Sequence, residues 1–190
     1  LISPEESPLT LANPIASDMA QMRLTLWPGL IKAVLYNQNR QQGRVRLFEI
    51  GRRYLAVPDG GADEQPVIAG IAMGPAFSEQ WGVKARPVDF FDVKGDVEAL
   101  LALGGQRQFF FRPARHPALH PGQTAEILQI GAADPIGRIG VLHPDIQAKS
   151  GLDKSVIVFE LRLSALLAAI IPEFQEISRY PAIRRDLAMV

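Results

Sequence analysis

Three histidines are the first candidates for chemistry in this 190-residue sequence, because an imidazole can bind a metal ion or transfer a proton near neutral pH. His116 and His120 are four residues apart, the spacing at which two side chains share a helix face and can hold zinc. Pro117 and Pro121 rule out that helix, since proline lacks the N–H that a helix interior needs. His143 lies in a Leu-His-Pro turn, and no acidic residue stands at a convincing zinc-ligand spacing. We therefore interpret all three as ordinary loop histidines.

The sequence also lacks the short motifs of nucleophilic and phosphate-binding sites. No Gly-x-Ser-x-Gly occurs, and the serines fall in turn, cap or strand-edge contexts where local hydrogen bonding explains them. Neither a Gly-x-x-x-x-Gly-Lys-Ser/Thr nor a Gly-x-Gly-x-x-Gly loop is present. The spacing of Gly137 and Gly140 is wrong for such a loop and indicates a bulge or a close backbone approach. Lys94 falls in a helical pattern, so we interpret it as solvated or paired with Glu98 four residues later rather than as a phosphate ligand.

Glu49 is a candidate functional carboxylate, because it lies between apolar neighbours close to three arginines. Those arginines are Arg46, Arg52 and Arg53. The favoured interpretation is a strand carboxylate paired with a cross-strand arginine, and a substrate contact is the alternative.

The densest basic patch late in the chain consists of Arg179, Arg184 and Arg185, with Asp186 beside it. A solvated surface is the default interpretation of such a patch, and contact with RNA phosphates is the alternative. Over the whole chain, 20 Lys and Arg balance 20 Asp and Glu. This balance argues against a non-specific nucleic-acid binder, which usually carries a basic excess.

The remaining composition is that of an ordinary globular chain. Hydrophobic residues make up 47% and charged residues 21% of it, which is sufficient for one large domain with a core. The absence of cysteine excludes disulfides and thiolate metal sites and fits a reducing, cytoplasmic compartment. No run of about 18 apolar residues occurs, so we predict no membrane span. The chain starts at Leu1 without an export pattern and stops in a strand-like segment, so we expect a fragment of a longer polypeptide.

Periodicity and turn signals predict the elements that must position these residues. One helix starts near Trp27 and Pro28 and stops at residues 39–43, and a second is capped by Asp89 and closed by Gly104 and Gly105. Shorter helices are predicted at 144–150 and 164–171. The predicted extended segments are 10–12, 44–57, 67–73, 108–111, 124–130, 136–142 and 155–163. Hairpin connections dominate, so we predict an antiparallel α+β fold with a domain boundary near residues 172–178.

The segment from Arg46 to Tyr54, Arg-Leu-Phe-Glu-Ile-Gly-Arg-Arg-Tyr, resembles the second signature strand of class II aminoacyl-tRNA synthetases. In that family the strand leads into an ATP-contacting arginine and an acidic partner. The corresponding residues here are apolar: Leu55, Ala56 and Val57. An apolar trio cannot hold a triphosphate, which needs cations or aligned backbone donors.

The third class II signature should fall at residues 156–167, where a glycine-rich strand would lead into an arginine that stacks on ATP. This region has no glycine, and the cation there is Arg162. Without glycine the backbone cannot approach a nucleotide closely. Two separate parts of the nucleotide-binding machinery are therefore absent, which predicts a supporting module rather than a catalyst.

A longer series of ordered motifs resembles the β-subunit family of bacterial phenylalanyl-tRNA synthetases over nearly the whole chain. The motifs are Leu11-Ala12-Asn13-Pro14-Ile15, Met22-Arg23-Leu24-Thr25-Leu26, Pro28-Gly29-Leu30, Asn37-Gln38-Asn39-Arg40, Phe48-Glu49-Ile50-Gly51-Arg52, Asp89-Phe90-Phe91-Asp92-Val93-Lys94-Gly95, Leu119-His120-Pro121-Gly122-Gln123-Thr124-Ala125, Ile139-Gly140-Val141-Leu142-His143-Pro144 and Arg179-Tyr180-Pro181-Ala182-Ile183-Arg184-Arg185-Asp186-Leu187-Ala188.

This resemblance implies a catalytic-like module, with the class II antiparallel sheet flanked by helices, over residues 1–176. Residues 177–190 would be the truncated start of a ferredoxin-like anticodon-binding domain. The module would pack on an α subunit that holds the ATP and phenylalanine site, in an (αβ)2 assembly that charges tRNA-Phe. ATP and magnesium would serve the full enzyme, with no cofactor or metal site and no catalytic residue in this fragment.

The resemblance also implies candidate contact residues. The segment around Asn13 and Pro14 is similar to the first class II signature, which builds subunit interfaces. The candidate interface residues are Asn13, Pro14, Met22 and Arg23, and the candidate tRNA contacts are Arg179, Arg184 and Arg185. Nearby apolar residues suit an interface or a core equally well: Leu11, Ile15, Met19, Met22 and Trp27.

Three functions stay open on the sequence alone. The first is a non-catalytic, subunit-binding module of a tRNA ligase. The second is an active class II-like adenylating enzyme with diverged motifs, which ATP–pyrophosphate exchange by the chain would reveal. The third is a stand-alone tRNA-binding regulator, which salt-dependent tRNA binding without an α partner would favour.

Overall fold

The structure, a computed structural model, describes residues 7–58, 61–105, 109–167 and 185–186. Its centre is a single sheet of six strands: β1 Val45–Ala56, β2 Ala62–Met73, β3 Phe109–Pro113, β4 Leu119–Gln129, β5 Gly137–Leu142 and β6 Val156–Arg162. Its helices are α1 Trp27–Gln38, α2 Phe90–Ala102, α3 Pro144–Lys149 and α4 Leu163–Leu167, with a 3-10 turn at Ser17–Met19. All strand pairs are antiparallel, which confirms the predicted α+β class.

The strand order β1-β2-β6-β5-β4-β3 brings distant parts of the chain together. The β1–β2 hairpin forms one side of the sheet, the chain then crosses to β3 at the far edge, and it returns strand by strand to β6. As a result β6 pairs with β2, with Glu160 opposite Ala69. The two stretches that resemble class II signature strands, β1 and β6, are therefore separated by one strand only.

Two hydrophobic cores lie on opposite faces of the sheet, because successive residues of a strand point to opposite sides. On β2, Val67 and Ala69 pack in the core that contains α1 and α3, whereas Ile68 packs in the core that contains α2. Strand β6 divides in the same way, with Val158 on the α1 side and Ile157 on the α2 side. Polar groups on either covered face must therefore find partners within the chain.

The start of α2 follows the predicted capping. The Asp89 carboxylate accepts the backbone N–H groups of Phe91 at 2.8 Å and Asp92 at 3.0 Å, and the Asp92 carboxylate accepts the N–H of Asp89 at 2.9 Å. Two guanidinium nitrogens of Arg86 donate to Asp92 at 2.6 Å each. Mainly through these bonds, the pKa of the Asp92 carboxyl falls to about 2.

Several local predictions are confirmed at the residue level. Lys94 and Glu98 form the expected ion pair along α2. Gly137 and Gly140 sit where backbone approaches closely: a Cβ at Gly137 would collide with the carbonyl oxygen of Glu160, and one at Gly140 would lie 2.9 Å from that of Gln123.

Two strands are longer than the sequence predicts. Strand β2 starts at Ala62 rather than Val67, and its polar first part, Asp63 to Pro66, pairs only with β1. Strand β4 starts at Leu119 rather than Thr124, with an irregular register between these two residues. Pairing with β1 imposes the extended backbone on the first part of β2, whereas the first part of β4 is joined to β5 at Leu119 only. The predicted helix at 164–171 is observed as Leu163–Leu167, and its later residues lie outside the described part.

A closed loop precedes α1. Thr10 and Gln21 form an antiparallel bridge, and the Leu11 N–H donates to the Ala20 carbonyl at 2.8 Å. At the tip of this loop Ile15 is 97% exposed, and Met19 is also exposed.

Candidate functional site

A row of charged residues crosses the sheet on the α1 side. The strand register places these residues side by side: Glu49 of β1, Ala69 of β2, Glu160 of β6, Arg138 of β5, Glu126 of β4 and Arg112 of β3. Directly paired residues share a face, and Ala69 belongs to the core beneath α1, so the whole row faces that side. Acidic and basic residues alternate from Glu160 to Arg112. We call these residues the charged row.

Glu160 is the most deeply buried charge of the row, with 7% of its surface exposed. One carboxylate oxygen accepts the Thr25 hydroxyl at 2.7 Å and the Leu26 backbone N–H at 2.9 Å, and the other accepts from Arg53 at 3.2 Å. The first two bonds place a negative charge at the N-terminus of α1, where the helix dipole favours it. Glu160 therefore holds α1 onto the sheet and neutralises Arg53.

Arg53 is the arginine closest to the position where the class II resemblance calls for nucleotide contacts, and its donors are already engaged. Besides Glu160, its guanidinium donates to the Gln65 side-chain oxygen at 2.7 and 3.0 Å. The residues after Tyr54 close the β1–β2 hairpin, with Leu55 opposite Asp63. The next three residues, Leu55, Ala56 and Val57, are apolar, so none of them supplies a cation in place of Arg53.

Glu49 has a different partner from the one that its strand context predicts. The residue beside it on β2 is Ala69, and the arginine that pairs with Glu49 is Arg23 of the preceding loop, at 2.8 Å. Arg23 also donates to the Arg52 carbonyl at 2.7 Å, and its own carbonyl accepts the Tyr54 N–H at 2.9 Å. The predicted ion pair is thus present, but its arginine lies outside the sheet and lines the edge of β1.

At the other end of the charged row one carboxylate serves two arginines. Glu126 lies 3.0 Å from Arg112 and 3.7 Å from Arg138. Arg138 keeps 40% of its side chain exposed. This part of the row therefore carries an excess of positive charge that faces solvent.

A cavity of about 170 Å³ opens above the middle of the row, between β1, β6 and the loop before β4. Its walls include Arg53, Glu160 and Trp27. The Trp27 indole donates to the Phe159 carbonyl at 3.1 Å, and its ring meets that of His116 edge-on with 5.5 Å between centroids. Sites for small-molecule ligands commonly measure about 300–1,000 Å³, so this cavity is smaller than a typical ligand site.

The three histidines share one local structure. Each precedes a proline, and each Nδ1 accepts the backbone N–H two residues later: Ala118 for His116 at 3.2 Å, Gly122 for His120 at 3.1 Å and Asp145 for His143 at 3.2 Å. The ring thus does in a turn what an Asn or Asp side chain often does. Burial, with a smaller contribution from Arg138, lowers the pKa of His116 to about 4. Within the described residues, no group of three or more His, Asp or Glu is arranged to hold a metal ion.

The candidate interface residues lie in and beside the loop that precedes α1. Asn13 and Pro14 are exposed, Met22 is half-buried, and Arg23 is exposed but engaged with β1. The apolar residues that suited either an interface or a core differ in their exposure to solvent. Trp27 is buried in the core beneath α1, whereas Ile15 stands in solvent. The interface role of these residues stays a prediction.

Most of the candidate tRNA contacts fall outside the described residues. Arg179 and Arg184 lie there, as does the predicted domain boundary at 172–178. Arg185 is described and exposed. In the part of the chain that the structure covers, no helix combines the length and the apolar character needed to cross a bilayer.

Comparison with known proteins gives a family for this architecture. The family model described as "Phenylalanyl tRNA synthetase beta chain CLM domain" matches residues 2–163. The chain belongs to this family. The resemblance that the sequence motifs carry is therefore confirmed, and the chain is related to aminoacyl-tRNA synthetases.

Relatives match along the entire chain. A phenylalanine–tRNA ligase β subunit of Hahella chejuensis is 53% identical over 190 residues, which are 100% of this chain and 24% of that protein. The corresponding β subunit of Pseudomonas syringae pv. tomato is 50% identical over 191 residues, again with 100% and 24% coverage. The chain therefore spans about a quarter of the length of the curated relatives that it matches.

A solved structure supports the fold independently of sequence. Desulfitobacterium hafniense PylSc, a pyrrolysyl-tRNA synthetase, aligns with a TM-score of 0.55 at 13% identity. The alignment covers 82% of this chain and 51% of that one. At this identity the likeness concerns the fold alone, and it confirms the prediction of a class II-like antiparallel sheet.

The charged row is the functional feature that sequence reasoning missed. Its members Glu126, Arg138 and Glu160 are separated by 12 and 22 residues, and only the strand register brings them together. The usable signal was a charged residue between apolar neighbours in each of three predicted strands. A covered strand face tolerates a charge only when it is paired, so each such residue calls for a partner on an adjacent strand.

Proposed function

We propose that this chain is the non-catalytic CLM domain of a phenylalanine–tRNA ligase β subunit and that it supports the α subunit, which activates phenylalanine with ATP and charges tRNA-Phe. In this proposal the chain works in protein biosynthesis, in the cytoplasm, as part of an (αβ)2 heterotetramer. ATP and magnesium serve the complete enzyme, and tRNA is bound through the full-length β subunit. Residues 1–176 form the module, and residues 177–190 begin the anticodon-binding domain.

The observation that carries the non-catalytic role is the state of the site between β1 and β6. The positions after Tyr54 are hydrocarbon, Arg53 is neutralised by Glu160, and the cavity beside them measures about 170 Å³. A triphosphate needs several free cations or backbone donors, and adenosine needs additional space. These features support a scaffold that has lost nucleotide binding and has retained the sheet.

The exposed apolar residues support a role in subunit contact. Ile15 and Met19 project from the closed loop before α1, and Phe48 and Ile50 project from β1, an edge strand of the sheet. Phe48 is 70% exposed and lies two residues from Ile50, so both side chains stand on one face. Apolar side chains grouped at an exposed edge are typical of surfaces that a partner covers.

A charge at the loop tip tests this role. We expect Ile15→Asp in the full-length β chain to reduce the amount of co-expressed, tagged α subunit that it retains by at least tenfold, because an interface core rejects an unpaired carboxylate. The measurement is quantitative co-purification, followed by phenylalanylation of tRNA with the recovered complex.

Leu103→Asp is the matched control, since Leu103 is also strongly exposed but follows α2, far along the chain from the loop before α1. The control should retain the α subunit. Equal recovery of α with Ile15→Asp and with the unmodified chain would contradict the contact assigned to this loop.

A further inference from the structure

The cavity above the charged row is lined by more cations than its carboxylate can neutralise. Four arginines from four different segments line it: Arg53 of β1, Arg115 of the loop before β4, Arg138 of β5 and Arg162 of β6. Glu160 is the one acidic residue in its wall. The cavity therefore differs in charge from the chain as a whole, whose formal net charge is zero.

The hydrogen bonds show which of these cations are available. Arg53 is paired with Glu160, and Arg138 shares Glu126 with Arg112. Arg162 donates to the Pro135 carbonyl at 3.1 Å, which does not neutralise its charge. Among the described residues, no carboxylate lies within 4.0 Å of Arg115 or Arg162. Three guanidinium groups on different walls thus retain all or part of their positive charge.

The size of the cavity and its charge together limit which anion can bind there. The cavity measures about 170 Å³, which favours a compact anion. An orthophosphate or a terminal phosphoryl group has five heavy atoms, close to two negative charges and tetrahedral oxygens that can face several walls. A carboxylate brings one charge and two oxygens in one plane, which suits a single guanidinium fork.

We propose that the cavity between Arg115, Arg138 and Arg162 is a binding site for a phosphate dianion, either free phosphate or the terminal phosphate of a larger molecule. Arg115 stands at the exposed rim, Arg138 reaches in from β5, and Arg162 from the end of β6. The neutral His116 imidazole forms the inner wall beside Trp27.

The test uses the full-length chain that contains these residues and inorganic phosphate as the probe. Isothermal titration measures phosphate binding at low salt, and anomalous diffraction from crystals soaked in selenate, a tetrahedral dianion, locates the site. We expect selenate between the three guanidinium groups, and an affinity for phosphate that falls about tenfold in Arg115→Gln. Arg115 has no partner in the described part of the chain, so this change leaves the fold intact. Arg44→Gln, an exposed arginine away from the cavity, is the matched control and should bind as the unmodified chain does.

Two further arms identify the source of the phosphate. A 5′-phosphorylated RNA that binds at least about tenfold more tightly than orthophosphate, while its 5′-hydroxyl form does not bind, assigns the site to an RNA terminus. Orthophosphate binding at least as tight as that of the 5′-phosphorylated RNA assigns it to free phosphate. Acetate binding as tight as that of phosphate would overturn the inference, and so would selenate located elsewhere or an affinity that Arg115→Gln does not change. None of these negative results affects the proposed function, which rests on the missing nucleotide contacts after Tyr54; ATP seated in the cavity would overturn the proposed function instead.

Discussion

At the scale of single residues, Glu160 connects three parts of the molecule. Its carboxylate receives the Leu26 backbone N–H just before α1, the Thr25 hydroxyl and the Arg53 guanidinium. A buried carboxylate is tolerated only when its oxygens are satisfied in this way. The same bonds remove Arg53 from the cations that a nucleotide could use, so one residue contributes both to the fold and to the loss of a nucleotide site.

Removing the charge of Glu160 should therefore be costly. We expect Glu160→Gln to lower the free energy of unfolding of this chain by about 2–3 kcal/mol. Arg53 loses its counter-charge, and the NH₂ group of the glutamine side chain replaces one of the two oxygens that accept hydrogen bonds from Thr25, Leu26 and Arg53. Equilibrium urea denaturation followed by circular dichroism measures the change. Glu98→Gln, which breaks the exposed pair with Lys94, is the matched control and should change stability by less than about 0.5 kcal/mol. A similar, small effect for both variants would show that Glu160 does not hold α1 on the sheet.

His116 should make the stability of the chain depend on pH. Its pKa is about 4 in the folded chain, mainly through burial, against about 6.5 in an unfolded chain. Between these two pH values the unfolded chain binds more protons than the folded chain. The contribution of His116 to the free energy of unfolding is therefore fully present above pH 6.5 and is lost as the pH falls towards 4. We expect His116 to account for a loss of about 2 kcal/mol over this window, allowing for its partial exposure. The Asp92 carboxyl, with its pKa lowered to about 2, adds a loss in the same direction only below about pH 4.

Urea denaturation at a series of pH values checks this expectation. His116→Asn keeps an acceptor for the Ala118 N–H and removes the titrating group, so its stability should be nearly constant between pH 6.5 and 4. His143→Asn makes the same change in the His-Pro turn that begins α3 and serves as the control. An unchanged pH dependence in His116→Asn would exclude His116 as its source.

Residue identities alone predicted part of this site. That Glu49 is paired and that Asp89 caps a helix followed from local context and are confirmed. The partner of Glu49 did not follow, because Arg23 reaches it from a loop 26 residues earlier that has no strand or helix pattern. Glu160 did not stand out either, since its partners come from segments more than 100 residues away.

At the scale of elements, two glycines differ in whether a larger side chain would fit: Gly95 has space for a Cβ atom, and Gly74 does not. Gly95 lies on the exposed side of α2 with nothing within 4 Å of the point that a Cβ would occupy, whereas Gly74 has φ +86° and a Cβ there would collide with the Gly43 carbonyl. We expect Gly95→Ala to stabilise the chain by about 0.5–1 kcal/mol, because alanine favours the helix. Gly74→Ala should destabilise it by more than about 2 kcal/mol through strain and the collision with backbone. Thermal or urea unfolding of the two variants checks both signs, and a stabilising Gly74→Ala would contradict the backbone described at the end of β2.

The elements with strong apolar periodicity were predictable, and those imposed by neighbours were not. Helices α1 and α2 and strands β1 and β6 appear within a few residues of their predicted limits. The first part of β2 is polar and includes Pro66, so its strand state depends on pairing with Arg52 and its neighbours across the hairpin. Strand β4 also extends through Pro121, where the register with β5 is irregular between Leu119 and Thr124, and no local signal indicates this extension.

At the scale of the whole molecule, the sequence motifs predicted the fold and the family, whereas the arrangement of charges on the sheet depends on strand register. A sheet with 13% sequence identity to a pyrrolysyl-tRNA synthetase retains the class II architecture, and the ordered motifs predicted the β-chain family that the comparisons confirm. The charge arrangement on that sheet is specific to strand register, which a sequence does not reveal. The chain thus combines a class II-like fold with a site in which Glu160 neutralises Arg53 and the residues after Tyr54 are apolar.

The loss of nucleotide binding is tested most directly by the number of ATP molecules bound by the full-length β chain in complex with its α subunit. Equilibrium binding should give one ATP per α–β pair, bound by the α subunit, and Arg53→Gln in the β chain should leave both the number and the affinity unchanged. A second saturable ATP per pair that disappears in Arg53→Gln would contradict the account, because it would place a working nucleotide site between β1 and β6.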